Sequence, residues 1–140
     1  MSRAERRTAL DRDFIAIKAM EGELKLSHKR KQLGLTVTTE QLIIQKPHVN
    51  YYISLLSIIS IRPEEIRWNR RPLPITHGHA EGSERVYETD GLKHYRLDVQ
   101  EAKLHNRSGI RELGRCEFVL PMTDQMVRLI SQYAELNAIE

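Results

Sequence analysis

Cysteine is almost missing from this chain. Among 140 residues only Cys116 is present, so no intramolecular disulfide can form and a four-thiolate zinc site is excluded. A reducing, cytoplasmic setting is the simplest expectation. Long apolar runs are lacking too. A membrane-spanning helix needs roughly 18 consecutive apolar residues. The richest stretch, 51–61, is broken by Ser54, Ser57 and Ser60, so no transmembrane segment is expected. Arg3, Arg6 and Arg7 imitate the start of an export signal, yet Asp11, Arg12, Asp13 and Lys18 stand where its apolar core belongs. An excess of one charge is also wanting: 22 Lys and Arg face 19 Asp and Glu, a net charge of +3. Such a mixed surface does not by itself demand nucleic acid or anionic lipid as partner. No internal repeat, low-complexity tract, Gly-rich phosphate loop, nucleophile elbow or helix-borne zinc motif is found. The expectation is a protein that is not an enzyme and carries no cofactor.

What is present suits one domain, long enough to bury a continuous core. Over 1–20, Leu10, Phe14, Ile17 and Met20 recur at spacings of three and four with no Gly or Pro between them. That pattern predicts a helical arm with one apolar stripe, ended at Gly22. Arg3, Arg6, Arg7 and Arg12 lie opposite the stripe, and packing on the chain's own domain or on a second copy is the expected fate of the arm. Strands are predicted at 23–27, 33–38 and 42–45. The Ile-rich segment 51–62 is assigned to strand, although Tyr52, Leu55, Leu56 and Ile59 also fit helical spacing.

Residues 69–93 form an irregular insert with a short strand at 85–87; so long a loop is usually functional or disordered. After it Tyr95, Leu97 and Val99 alternate with Arg96, Asp98 and Gln100, the period of a strand with one wet face. The alternation slips near Glu101, which predicts a bulge returning Leu104 to the core side. A turn at 106–109 precedes a last strand carrying Cys116, Phe118 and Leu120, with the thiol buried and inert. Pro121 is expected to stop the sheet. Thr123 then caps a helix with Met126, Leu129, Ile130, Tyr133 and Leu136 on one side.

Four segments in this order carry a resemblance. They are Glu21-Gly22-Glu23 opening the first strand, the strand-turn-strand run from Leu35-Thr36-Val37-Thr38 through Thr39-Glu40-Gln41 to Leu42-Ile43-Ile44, the segment Ile53-Ser54-Leu55-Leu56-Ser57-Ile58-Ile59-Ser60-Ile61, and the exit Phe118-Val119-Leu120-Pro121 into an amphipathic helix. Together they resemble the pleckstrin-homology-like superfamily, including its GRAM and bacterial branches. The resemblance implies a mainly β (α+β) fold over 21–137, a bent antiparallel barrel of about seven strands capped by the C-terminal helix. The helical arm 1–20 and the insert 69–93 are additions to that plan. The superfamily hosts lipid binders, peptide binders and oligomerisation modules, so fold alone does not choose among them.

Function is therefore sought in local constellations. Lys25 and the run His28-Lys29-Arg30-Lys31 fall where lipid-binding members of the superfamily hold a phosphorylated head group, and clustered cations on a short connection favour an anionic partner. Arg62, Arg67, Arg70 and Arg71 gather around Trp68 as a second basic group. The expected ligand-binding residues are Lys25, Lys29, Arg30, Lys31, Arg70 and Arg71. The expected function is a non-enzymatic binding module for a protein partner or a second copy, with an anionic membrane surface as the second choice and nucleic acid not favoured. The alternative is a metal-dependent enzyme. His77-Gly78-His79 followed by Glu84 and Gly91 is similar to the first metal-binding motif of the cupins. It departs from that motif at Arg71, where a Gly is required, and only His94 or His105 could supply the remaining ligand.

Overall fold

In the computed structural model of the chain, the described residues are 14–18, 20–29, 33–65, 84–85 and 93–135. They build two antiparallel-rich sheets and a closing helix. The strands are β1 (Leu24–Lys29), β2 (Gly34–Thr38), β3 (Gln41–Lys46), β4 (Val49–Ser54), β5 (Ile58–Glu64), β6 (Glu84–Arg85), β7 (Lys93–Val99), β8 (Ala102–Asn106), β9 (Gly109–Leu113) and β10 (Cys116–Met122), followed by helix α1 (Asp124–Tyr133). One sheet has the order β1-β2-β3-β4-β8-β9 and the other β5-β7-β10-β6.

The first four strands are a meander of adjacent hairpins. The β3–β4 turn carries Pro47 and then His48 at φ 73°, and Pro followed by a residue with positive φ is the pattern of a type II turn. Segment 51–62 is not one strand. It finishes β4, turns through a single 3-10 turn at Leu55–Ser57 and begins β5 in the other sheet. Its apolar residues fall on both parities for two reasons. Leu55 is swallowed by the corner at 1% exposure, and a register shift between Ile58 and Ser60 turns both Ile58 and Ile61 inward. The slip near Glu101 is likewise a corner rather than a bulge, since Val99 ends β7 in one sheet and Ala102 opens β8 in the other.

Pro121 does not stop the sheet, because β10 runs on to Met122 and pairs Pro121 with His94. Among the described residues β6 pairs with Phe118 and Val119. At Pro121 the missing N–H therefore costs no ladder bond on that flank among the described residues. Pro63 is tolerated for the related reason that β5 is an edge strand.

The two sheets do not close into the expected barrel of seven strands. The β8–β9 hairpin extends the first sheet from β4, and no ladder among the described residues joins it to the second sheet. They face each other instead across a core that includes Leu35, Val37, Ile44 and Ile53 from one and Leu97, Val99, Phe118 and Leu120 from the other. Tyr51 and Phe118 meet across it edge to face, with ring centroids 5.3 Å apart.

Helix α1 covers this core, with Met126 and Ile130 fully buried in the same cluster. Each such side chain contributes roughly 1.5–3 kcal/mol. Thr123 Oγ accepts from the Met126 N–H at 3.1 Å and caps the helix as expected. The buried side is rotated from the predicted one: Val127 and Ala134 are buried, while Leu129 and Tyr133 are half-buried against the core's margin, and Leu136 lies outside the described residues. No helix among the described residues is long and apolar enough to cross a membrane.

Of the predicted arm 1–20, residues 1–13 and 19 lie outside the described residues, and 14–18 and 20 are not helical. In a helix the Lys18 N–H would bond to the Phe14 carbonyl. Here it donates to Tyr52 Oη at 3.0 Å, so tertiary partners have taken the groups a helix would use. Insert 69–93 lies outside the described residues except for 84–85 and Lys93, which starts β7.

Candidate functional site

Strand alternation gives the first sheet a second face, turned away from the core. Cross-strand register sets its side chains in rows: Lys29, Gly34, Gln45, Asn50, His105 and Ile110 in one, and Ser27, Thr36, Ile43, Tyr52, Lys103 and Glu112 in the next. On an outer face such residues would normally be wet. Several are not: Asn50 and Ile43 are 0% exposed, and Gln45, Tyr52 and His105 are buried as well.

What reaches this face is the segment 14–18 with the turn after it, and the hydrogen bonds are to its main chain. Gln45 Nε2 and Asn50 Nδ2 both donate to the Ile15 carbonyl, each at 3.0 Å. The Lys18 N–H donates to Tyr52 Oη, which is also 3.0 Å from His105 Nδ1, the two rings being stacked. Further along, Gln41 Oε1 accepts from the Glu21 N–H at 2.7 Å and Thr38 Oγ1 donates to the Glu21 carbonyl at 2.6 Å. Gly22 is required at the turn. Its φ is +90°, and a Cβ there would lie 2.8 Å from Thr39 Oγ1 and 2.9 Å from the Glu40 nitrogen.

Magnitudes show how firmly segment 14–18 is held. Its bonds to Gln45, Asn50 and Tyr52 are worth about 1 kcal/mol each. Half-burying Phe14, Ile15 and Ile17 adds about 1 kcal/mol per side chain. Ordering the backbone of these residues costs about 1–2 kcal/mol apiece. The two sides lie within a few kcal/mol of each other, so the strap is near balance.

One group is left over. Asn50 Oδ1 is buried and has no hydrogen-bond partner among the described residues, a cost of about 1–3 kcal/mol. Turning the amide over would set that oxygen against the Ile15 carbonyl, so the orientation is fixed by the bond that Nδ2 makes. Beside Tyr52 the face opens into a cleft of about 130 Å³, whose lining includes Gln41, Ser54, Glu101, Lys103 and Glu112.

The residues expected to bind a ligand are distributed differently. Lys29 Nζ lies over the Phe14 ring, 4.7 Å from its centroid, a cation–π contact rather than an open anion site. Lys25 is 3.9 Å from Glu23. Arg30, Lys31, Arg70 and Arg71 lie outside the described residues, as do Arg67, Trp68, His77 and His79; of Glu84 only the backbone, in β6, is described. Arg62 pairs with Asp98 at 3.3 Å and Arg96 with Glu117 at 2.9 Å, a charge ladder across the second sheet.

His94 and His105 stand in different sheets, and His105 is engaged by Tyr52. Among the described residues no group of three or more His, Cys, Asp and Glu could hold a metal ion. Cys116 is buried, its thiol donating to the Gly114 carbonyl. Sequence reasoning missed Gln45, Asn50 and Tyr52. The available signal was the recurrence of polar residues at one parity in β3 and β4. No family model, curated protein or solved structure matches the chain.

Proposed function

We propose that this chain is a non-enzymatic protein-interaction module whose working surface is the outer face of its six-stranded sheet, where it grips an extended segment by the main chain. The observation that carries this reading is the convergence of Gln45 and Asn50 on one peptide carbonyl, with Tyr52 on an N–H three residues further on. Buried amides and a buried phenol aimed at backbone atoms recognise an extended chain with little regard to its side chains. A meander, a second sheet and a closing helix in that order support a pleckstrin-homology-like plan, and a single buried thiol suits a cytoplasmic setting.

Panning a random peptide library on the full chain tests the reading. Enriched peptides should bind at least tenfold more weakly when Gln45 and Asn50 are both replaced by Ala. Failure to enrich any peptide, or binding indifferent to the double substitution, would remove it.

Binding to an anionic surface is a second reading within the same module. It is favoured by Lys25 and Lys29 both lying on edge strand β1, with Arg30 and Lys31 following in the chain. It requires retention on acidic vesicles that falls with added salt and is lost when these four residues become Ala. Retention unaffected by either change counts against it.

A further inference from the structure

We propose that residues 14–18 are a displaceable placeholder in this groove, and that its occupant in trans is a straight, extended peptide offering a backbone N–H to Asn50 Oδ1. The inference rests on the reading above and adds the partner's chemistry and its competition with the strap. Asn50 is wholly buried and aimed at the strap, yet only its Nδ2 is used. In an extended chain the N–H and C=O of one residue point to the same side, so a side-chain amide can clamp both. The strap fails to complete this clamp. It bends at Phe14, immediately before Ile15, and brings the Ile15 carbonyl to the amide while Oδ1 has no donor among the described residues.

The strap's own anchors are few and separable. Phe14 rests beside Lys29, and the turn at Gly22 sets its far end. The groove also has a sense of direction, with Lys29 at the Phe14 end and, in the cleft beside Tyr52, the carboxylates Glu21, Glu101 and Glu112 outnumbering the one cation, Lys103. A trans peptide with an aromatic residue at the first end and a cation at the second fits that polarity.

The test uses the full chain and an acetylated, fluorescently labelled peptide with the sequence of residues 14–22, read by anisotropy. Freeing the groove with Gly22→Val should tighten peptide binding at least tenfold. Phe14→Ala, which leaves the core untouched, should tighten it about threefold and serves if Gly22→Val fails to fold. In either background Asn50→Ala should weaken binding at least tenfold. N-methylation of the peptide at its Ile15 should weaken it at least fivefold, because the trans clamp uses that N–H; methylation at Ala16 is the steric control.

Equal affinity for the wild-type chain and both strap variants overturns the placeholder. So does indifference to N-methylation at Ile15. If library peptides bind through Gln45 and Asn50 while these comparisons fail, the interaction reading stands and only the placeholder falls. If no peptide binds any form of the chain, both fall.

Discussion

At Asn50 the two ends of one side-chain amide have different fates: Nδ2 bonds to the Ile15 carbonyl and Oδ1 bonds to nothing among the described residues. Replacing this residue by Ala removes a satisfied group and an unsatisfied one together, so the two effects offset and stability should change by less than about 1 kcal/mol. Tyr52 is the opposite case. Its hydroxyl serves the Lys18 N–H and His105 Nδ1 at once, and Tyr52→Phe strands both. That change should cost about 2 kcal/mol, visible as a lower urea midpoint beside an Asn50→Ala chain that is nearly unmoved. Neither role could be read from residue type. Lys29 shows the same limit, since its charge was legible but its partner, the Phe14 ring, lies in a segment whose spacing spoke for helix.

Element boundaries were the more legible level. The first hairpins, the strand after the insert and the Thr123-capped helix follow from alternation, turn residues and capping chemistry that act over a few neighbouring positions. Where elements were misjudged, the deciding partner was remote. Gln100 and Glu101 form a corner only because β8 finds β4, and β10 runs through Pro121 because β7 pairs with it as far as Met122. The cap gives a clean test at this scale. Thr123→Ala removes the acceptor for the Met126 N–H and should lower stability by about 1 kcal/mol. Ile130→Ala, on the same helix but fully buried, should cost about 2–5 kcal/mol. Thermal unfolding followed by circular dichroism separates the two, and equal effects would mean the helix does not seal the core.

At the scale of the molecule, one core holds two sheets and a helix together. Phe118 sits in its middle, fully buried and in edge-to-face contact with Tyr51 from the opposite sheet. Phe118→Ala should cost about 3–5 kcal/mol, a large part of the roughly 5–15 kcal/mol that holds a domain folded. Denaturant titration should then show a transition near its limit at room temperature. The strap belongs to a different ledger, since it touches the outer face and not this core. Hydrogen exchange should find the Lys18 amide opening far more readily than those of β7 and β10.

Sequence by itself determined the mainly β composition, the place of the hairpins, the capped final helix and the polar parity of β3 and β4, because propensity, alternation and capping act between near neighbours along the chain. Tertiary structure alone decided that the sheets stay open rather than close, that the segment before Gly22 runs across Gln45, Asn50 and Tyr52 instead of coiling, and that one buried amide oxygen has no donor among the described residues. Those outcomes depend on which distant backbone groups meet. Pairing energies of about 1 kcal/mol per bond are enough to overrule a local helical preference of a few tenths per residue.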